Sequence, residues 1–108
     1  MKRHDHALND LIKNTQMFGY ENINDIVMVA KEPILLNRGN IVAEPDLVFI
    51  SEYGHNTLVE YKASDDERKA KHQLQRAYDH IYVNKIFHGY FESYFVHKEN
   101  DKYIVKKM

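Results

Sequence analysis

The chain has 108 residues, a formal net charge of -1, 29% charged residues and 44% hydrophobic residues, which is typical of one soluble domain spanning residues 1–108. The balanced charge excludes nucleic-acid binding through a global basic field, and the absence of cysteine excludes disulfides and thiolate metal sites. No stretch reaches the ~18 apolar residues of a membrane helix, and no signal-peptide core follows the first residues. We therefore expect an intracellular, cytoplasmic protein with no membrane partner.

The first third of the chain predicts a helix followed by short strands. Apolar residues at helical spacing predict a helix over residues 5–18, capped by Asp5 and ended by Gly19. Residues 25–30 read as a first strand, and residues 34–36 and 41–43 flank a turn-forming cluster, consistent with a second strand pair. Arg38 lies in that turn and is a candidate phosphate contact, the alternative being an exposed loop charge.

Residues 44–62 hold the most informative pattern. Two apolar segments, 47–50 and 57–61, flank a polar turn, which is typical of a β-hairpin. With a loop of residues 52–54, Gly54 takes the left-handed position that such loops need, and the register places Asp46 opposite Glu60. Because side chains alternate, Lys62 lies on the same face as Glu60. Both segments are apolar on both faces, which predicts central strands.

Two carboxylates facing each other across a strand pair repel by about 0.2–1 kcal/mol, and by more where water is excluded. A divalent cation removes this repulsion, because Mg²⁺ is held by one or two carboxylates and keeps several waters. A neighbouring ammonium group steadies an attacking water or the developing charge in phosphodiester cleavage. Asp46, Glu60 and Lys62 are therefore candidate catalytic residues. The alternative is a strand-opening aspartate and a solvated edge stripe.

Pro45-Asp46, thirteen residues, and then Glu60-Tyr61-Lys62 resembles the signature of the PD-(D/E)xK nuclease superfamily, which includes restriction endonucleases and archaeal Holliday-junction resolvases. The resemblance implies an α/β fold with a central mixed β-sheet flanked by helices, in the restriction endonuclease-like order α-β-β-β-α-β. It implies Mg²⁺ or Mn²⁺ as cofactor, bound by Asp46, Glu60 and the Tyr61 backbone carbonyl. It also implies an acidic ligand from the first helix, for which Asp5 is the candidate; the alternative is a helix cap.

After Lys62, Ser64 and Glu67 form a capping-box pattern that predicts a helix to about residue 85. Its apolar stripe consists of Ala70, Leu74, Ala77, Tyr78 and Ile81, and its polar stripe of Lys69, Gln73, Arg76 and His80. The resemblance implies that Gln73 supports the catalytic site. Lys69 and Arg76 are candidate DNA contacts, the alternative being a solvated helix face. Residues 90–98 and 102–107 predict a terminal hairpin.

The sequence thus predicts a metal-dependent deoxyribonuclease, with junctions or flaps among its candidate substrates. The alternatives are a non-catalytic nucleic-acid-binding or assembly protein on the same fold, and an RNA-directed nuclease. Even single DNA-binding modules bury ~600–1,000 Å² of protein surface, which is a large demand on one short chain. We therefore expect a symmetric homodimer that binds DNA.

Overall fold

A computed structural model of the chain describes residues 3–108, which form two α-helices, two short 3₁₀ helices and seven strands. The helices are α1 (Arg3–Ile12) and α2 (Glu67–Asn84), and the strands are β1 (Ile26–Lys31), β2 (Leu35–Asn37), β3 (Asn40–Ala43), β4 (Leu47–Ser51), β5 (His55–Lys62), β6 (Tyr90–Glu99) and β7 (Lys102–Lys107). The 3₁₀ helices are Thr15–Phe18 and Ile23–Asp25. Neither α-helix of this described part is long and apolar enough to cross a membrane.

Five strands form one mixed sheet in the order β1-β4-β5-β6-β7. Strands β5 and β6 run parallel, and every other neighbouring pair in this sheet is antiparallel. A parallel pair needs a long crossover connection, which α2 provides. Strands β2 and β3 pair separately as a hairpin. The predicted α/β class and the predicted central position of β4 and β5 are both confirmed.

Apolar side chains on the two faces of the sheet form two cores. On one face, α1 and the Thr15–Phe18 turn cover the β4 and β5 side chains Leu47, Phe49, Val59 and Tyr61. On the other face, α2 covers Val48, Leu58 and Phe95, and the β2–β3 hairpin adds Leu35 and Ala43 at the margin. Burial on both faces explains why β4 and β5 read as nearly continuous apolar runs in the sequence.

The β4–β5 hairpin has the predicted register, with Leu47 paired to Val59 and Phe49 paired to Thr57. Gly54 has a φ of 82°, so it supplies the left-handed residue that the turn requires. The α2–β6 loop meets this turn, because Tyr90 N donates to the Gly54 carbonyl at 2.9 Å. The far end of the hairpin is thus anchored, which fixes where its other end places Asp46 and Glu60.

The first helix differs from its prediction at both ends. It begins at Arg3 and ends at Ile12, and a separate 3₁₀ turn, Thr15–Phe18, is closed by Gly19 at a φ of 90°. The prediction that one helix runs to residue 18 is therefore wrong. Asp5 lies inside the first turn of α1 rather than at its cap.

The predicted capping box at the start of α2 is also wrong. Asp66 is the N-cap, and its amide donates to the Ser64 carbonyl at 2.8 Å, so residues 64–66 form a turn that precedes the helix. Four of the five predicted apolar-stripe residues of α2 are buried, but Tyr78 is exposed. It stacks on Tyr82 along the flank of α2, with ring planes 8° apart.

Candidate metal-binding active site

Asp46 lies directly before β4, at the end of the hairpin opposite its turn, and only 7% of its surface is exposed. Its backbone is held on both sides, because Asp46 N donates to the Val59 carbonyl and Glu32 N donates to the Asp46 carbonyl. Its Oδ2 accepts a hydrogen bond from the Tyr61 amide at 2.6 Å. Burial raises the pKa of Asp46, although the Tyr61 amide and His4 partly oppose the change.

Glu60 continues the register one pair beyond Leu47 and Val59, which sets it across from Asp46. It is 2% exposed, and its buried Oε1 has no hydrogen-bond partner. Burial, followed by the negative charge of Asp46, raises the pKa of Glu60 to about 8. A carboxyl group with this pKa holds a proton at neutral pH unless a cation takes its place.

Lys62 ends β5 and brings an ammonium group to this pair. Its Nζ lies 3.6 Å from Glu60 Oε2, which is ion-pair distance without a close hydrogen bond. A cavity of about 460 Å³ opens beside the three side chains. Its lining is rich in charged groups and consists of Glu32, Ile41, Val42, Ala43, Glu44, Asp46, Glu60, Lys62, Gln73 and Arg76.

The first helix reaches this site through His4. His4 Nε2 lies 2.7 Å from Asp46 Oδ1, whereas Asp5, the predicted ligand, pairs with Lys31 Nζ and does not line the cavity. An ionised carboxylate only accepts, so Nε2 carries the proton in this contact and orients Asp46. No spacing in the sequence separates His4 from the other histidines, and Asp5 was the candidate because the family resemblance implies an acidic ligand from the first helix.

The remaining predicted site residues divide into two groups. Gln73 and Arg76 of α2 line the cavity together with Asp46, Glu60 and Lys62. Arg38 lies in the β2–β3 turn, and Lys69 lies on α2; neither lines the cavity. Glu32, which the sequence did not single out, lines it with a φ of 52°, an uncommon conformation for a side-chain-bearing residue.

The donor set suits a hard divalent cation. Carboxylate oxygens are the ligands that Mg²⁺ and Mn²⁺ prefer, and Oε1 of Glu60 is one such oxygen that is buried without a hydrogen-bond partner. Within residues 3–108, no three His, Cys, Asp or Glu side chains form a ready-made metal cage. A cation here would therefore take its remaining ligands from the backbone and from water, as Mg²⁺ commonly does. Comparison with protein-family models, curated proteins and solved structures finds no match to this chain.

Proposed function

We propose that the protein is a metal-dependent deoxyribonuclease of the PD-(D/E)xK type, which hydrolyses phosphodiester bonds of DNA. The observation that carries the proposal is the buried Asp46–Glu60 pair, which faces one cavity beside the Lys62 ammonium. Such a pair is costly in a metal-free fold and is what a divalent cation needs.

The residues at the hairpin end and their neighbours have distinct roles in this proposal. Asp46 and Glu60 hold the cation, with the Tyr61 carbonyl as a further ligand, and His4 fixes the orientation of the Asp46 carboxylate. Bound Mg²⁺ or Mn²⁺ would polarise the phosphoryl oxygen and lower the pKa of a coordinated water. Lys62 orients the attacking water and offsets the negative charge that develops on the phosphate.

The α2 wall supplies the substrate contacts. The guanidinium of Arg76 matches two phosphate oxygens at once, and Gln73 can both donate to and accept from the water or phosphate. Both side chains line the cavity with Lys62. These groups provide the local positive charge that a chain of net charge -1 needs in order to bind a polyanion.

The order of elements supports the same family. Leaving out the separate β2–β3 hairpin, the helices and the large sheet run α1, β1, β4, β5, α2, β6, which is the order α-β-β-β-α-β expected from the resemblance, followed by β7. Asp46 directly precedes the second strand of that sheet, Glu60 and Lys62 lie on the third, and Gln73 and Arg76 lie on the helix that follows. A symmetric homodimer remains our expectation, because one chain of this size offers limited surface for DNA.

The test is Mg²⁺-dependent and Mn²⁺-dependent cleavage of plasmid, single-stranded, flapped and four-way-junction DNA. Asp46→Ala and Lys62→Ala should each lose at least about 100-fold in rate, since one removes a metal ligand and the other a charge that acts in the transition state. Lys13→Ala is the matched control, because Lys13 is exposed just after α1 and away from the cavity. It should cleave like the parent.

The same assay separates the alternatives. Equal rates in the parent and both cavity variants would show a contaminating nuclease and refute the proposal. Binding of DNA without cleavage in either metal would indicate a non-catalytic nucleic-acid-binding or assembly protein. Faster cleavage of RNA than of DNA of the same sequence would indicate an RNA-directed nuclease.

A further inference from the structure

The β2–β3 hairpin forms one lip of the catalytic cavity. Its turn is Arg38-Gly39, both with positive φ, so the two strands are joined by the tight two-residue connection typical of short hairpins. A two-stranded hairpin is only marginally stable alone, and this one is held to the domain through Leu35 and Ala43, which pack against the core beneath α2.

The outer face of this hairpin is apolar. Leu36 and Ile41 are cross-strand partners, and they are 51% and 56% exposed. The strand pairing shifts between Leu35 and Leu36, and the exposures show that the domain leaves Leu36 and Ile41 uncovered, whereas Leu35 and Ala43 pack against the core. Ile41 also lines the catalytic cavity. An exposed aliphatic pair therefore borders a cavity whose other walls carry Glu60, Lys62 and Arg76.

This combination constrains what lies in the cavity. Phosphate groups are charged and gain nothing from Leu36 and Ile41, and the sugar is partly polar, whereas the face of a nucleobase is the broadest apolar surface of a nucleotide. In an intact duplex the base faces are stacked against one another and only phosphates, sugars and base edges reach a protein surface. The aliphatic pair can meet a base face only where a nucleotide is unpaired.

We propose that the hairpin packs Leu36 and Ile41 against an unpaired base next to the scissile phosphate, so that the substrate class is DNA with unpaired nucleotides: single strands, flaps or forks. This inference rests on the proposed nuclease function and specifies its substrate. Arg38 at the turn lies beyond the pair, and its guanidinium contacts the phosphate of a neighbouring nucleotide. Proteins that hold single strands without sequence preference combine cationic contacts to phosphates with aromatic rings that stack on bases, and here an aliphatic pair takes the place of the ring.

The experiment measures binding, so that it does not depend on turnover. The parent protein in Ca²⁺ is titrated into a fluorescein-labelled 20-nucleotide single strand and into its 20-base-pair duplex, and the anisotropy is recorded. We expect the single strand to bind about tenfold more tightly than the duplex, which is near the lower end of the roughly 5- to 150-fold that one base stacked on an aromatic ring contributes, because an aliphatic pair covers less of the base face. In the double variant Leu36→Ser/Ile41→Ser, the single-strand affinity should fall by about tenfold and the duplex affinity should stay unchanged.

Val83→Ser is the matched control, because Val83 is 74% exposed on α2 and does not line the catalytic cavity. Circular dichroism checks folding, and Ile41→Thr, which keeps the β-branched shape, serves as a second variant. Equal parent affinity for the two DNAs, or parent-like single-strand binding by the double variant, would overturn the inference. The inference would also be overturned if the parent is a dimer, the double variant is a monomer, and the two bind DNA equally well. A second copy of the chain would then cover the apolar pair. If the protein cleaves no DNA, the nuclease proposal is refuted. The binding result still decides the inference about unpaired nucleotides, because it does not depend on cleavage.

Discussion

Replacing Glu60 with glutamine should change the pH dependence of folding in the metal-free protein. Burial and the Asp46 charge raise the pKa of Glu60 from 4.5 to about 8. Below pH 4.5 the group is protonated in both states and stability is unaffected. Between pH 4.5 and 8 the unfolded chain has released the proton while the folded protein retains it, so stability falls as the pH rises. Above pH 8 both states are ionised and the loss is complete.

The size of the effect follows from the two pKa values. Each tenfold difference in proton affinity corresponds to about 1.4 kcal/mol, so between pH 5.5 and pH 8 the parent should lose about 3 kcal/mol through this group. Domains of this kind have total stabilities of about 5–15 kcal/mol, so a loss of this size is readily measured. Glu60→Gln cannot ionise and should not show it. The difference in unfolding free energy between the variant and the parent should therefore grow by about 3 kcal/mol over this pH range.

Urea unfolding at half-unit steps from pH 5.5 to 8.5, with EDTA present, measures this difference. Subtracting the parent cancels the pH-dependent contributions that the two proteins share, and the constant cost of burying the amide offsets the difference without changing how it depends on pH. Glu92→Gln is the control: the hydrogen bond from Lys107 lowers the pKa of Glu92, so it is ionised throughout the range and its difference should be flat. Adding Mg²⁺ should stabilise the parent most at high pH, where the cation no longer competes with the proton. A flat difference for Glu60→Gln would refute the reasoning.

Three further predictions concern other parts of the molecule. His4→Ala should weaken Mn²⁺ binding by about 10- to 100-fold in a calorimetric titration, because the variant loses the contact to Asp46. Asp5→Asn should leave Mn²⁺ binding nearly unchanged, and the reverse result would indicate that Asp5 is the ligand. Gly89→Ala should lower the free energy of unfolding, measured in urea, by more than about 3 kcal/mol, because the new Cβ would meet the Gly54 carbonyl. At Gly39 the new Cβ would face open space, so Gly39→Ala should cost only about 1–2 kcal/mol, and equal costs would contradict the prediction. The edge strand β1 exposes Val27, whereas the other edge strand, β7, is rich in lysine. If two copies of the chain pair through β1, Val27→Lys should give monomers in sedimentation equilibrium, and a dimer that persists would exclude β1 as the dimer interface.

The sequence was most informative where the residues of a turn and the apolar pattern of the strands on either side of it agreed. The nearly continuous apolar runs marked β4 and β5 as central strands, and the three-residue loop with Gly54 defined the turn between them, so the register that sets Asp46 across from Glu60 followed from the sequence. The terminal hairpin was equally well marked, because its turn residues separate two β-rich runs. In both cases the interacting residues are close together along the chain.

The errors arose where tertiary contacts decide. Nothing local distinguishes His4 from Asp5, since both lie in the first turn of α1 and only the packing of that helix on Tyr61 brings one of them to Asp46. Ser64 carries a capping-box pattern, but an ion pair from Lys106 of β7 holds Asp65 and the chain turns before α2 begins. Contacts between residues more than 40 positions apart leave no signature in one short window of sequence.

The electrostatics of Asp46 and Glu60 bear on whether these two carboxyl groups bind a ligand or stabilise the fold. If the two carboxyl groups served stability, they would share a proton in a direct hydrogen bond or be satisfied by Lys62. Instead Glu60 Oε1 has no partner and Lys62 stays 3.6 Å from the other oxygen. Apolar residues of similar size would make the fold more stable at these two positions, because removing charged groups from water costs free energy. This cost lies at one end of the β4–β5 hairpin, beside a polar cavity, and it supports the proposal that the two carboxyl groups bind a cation.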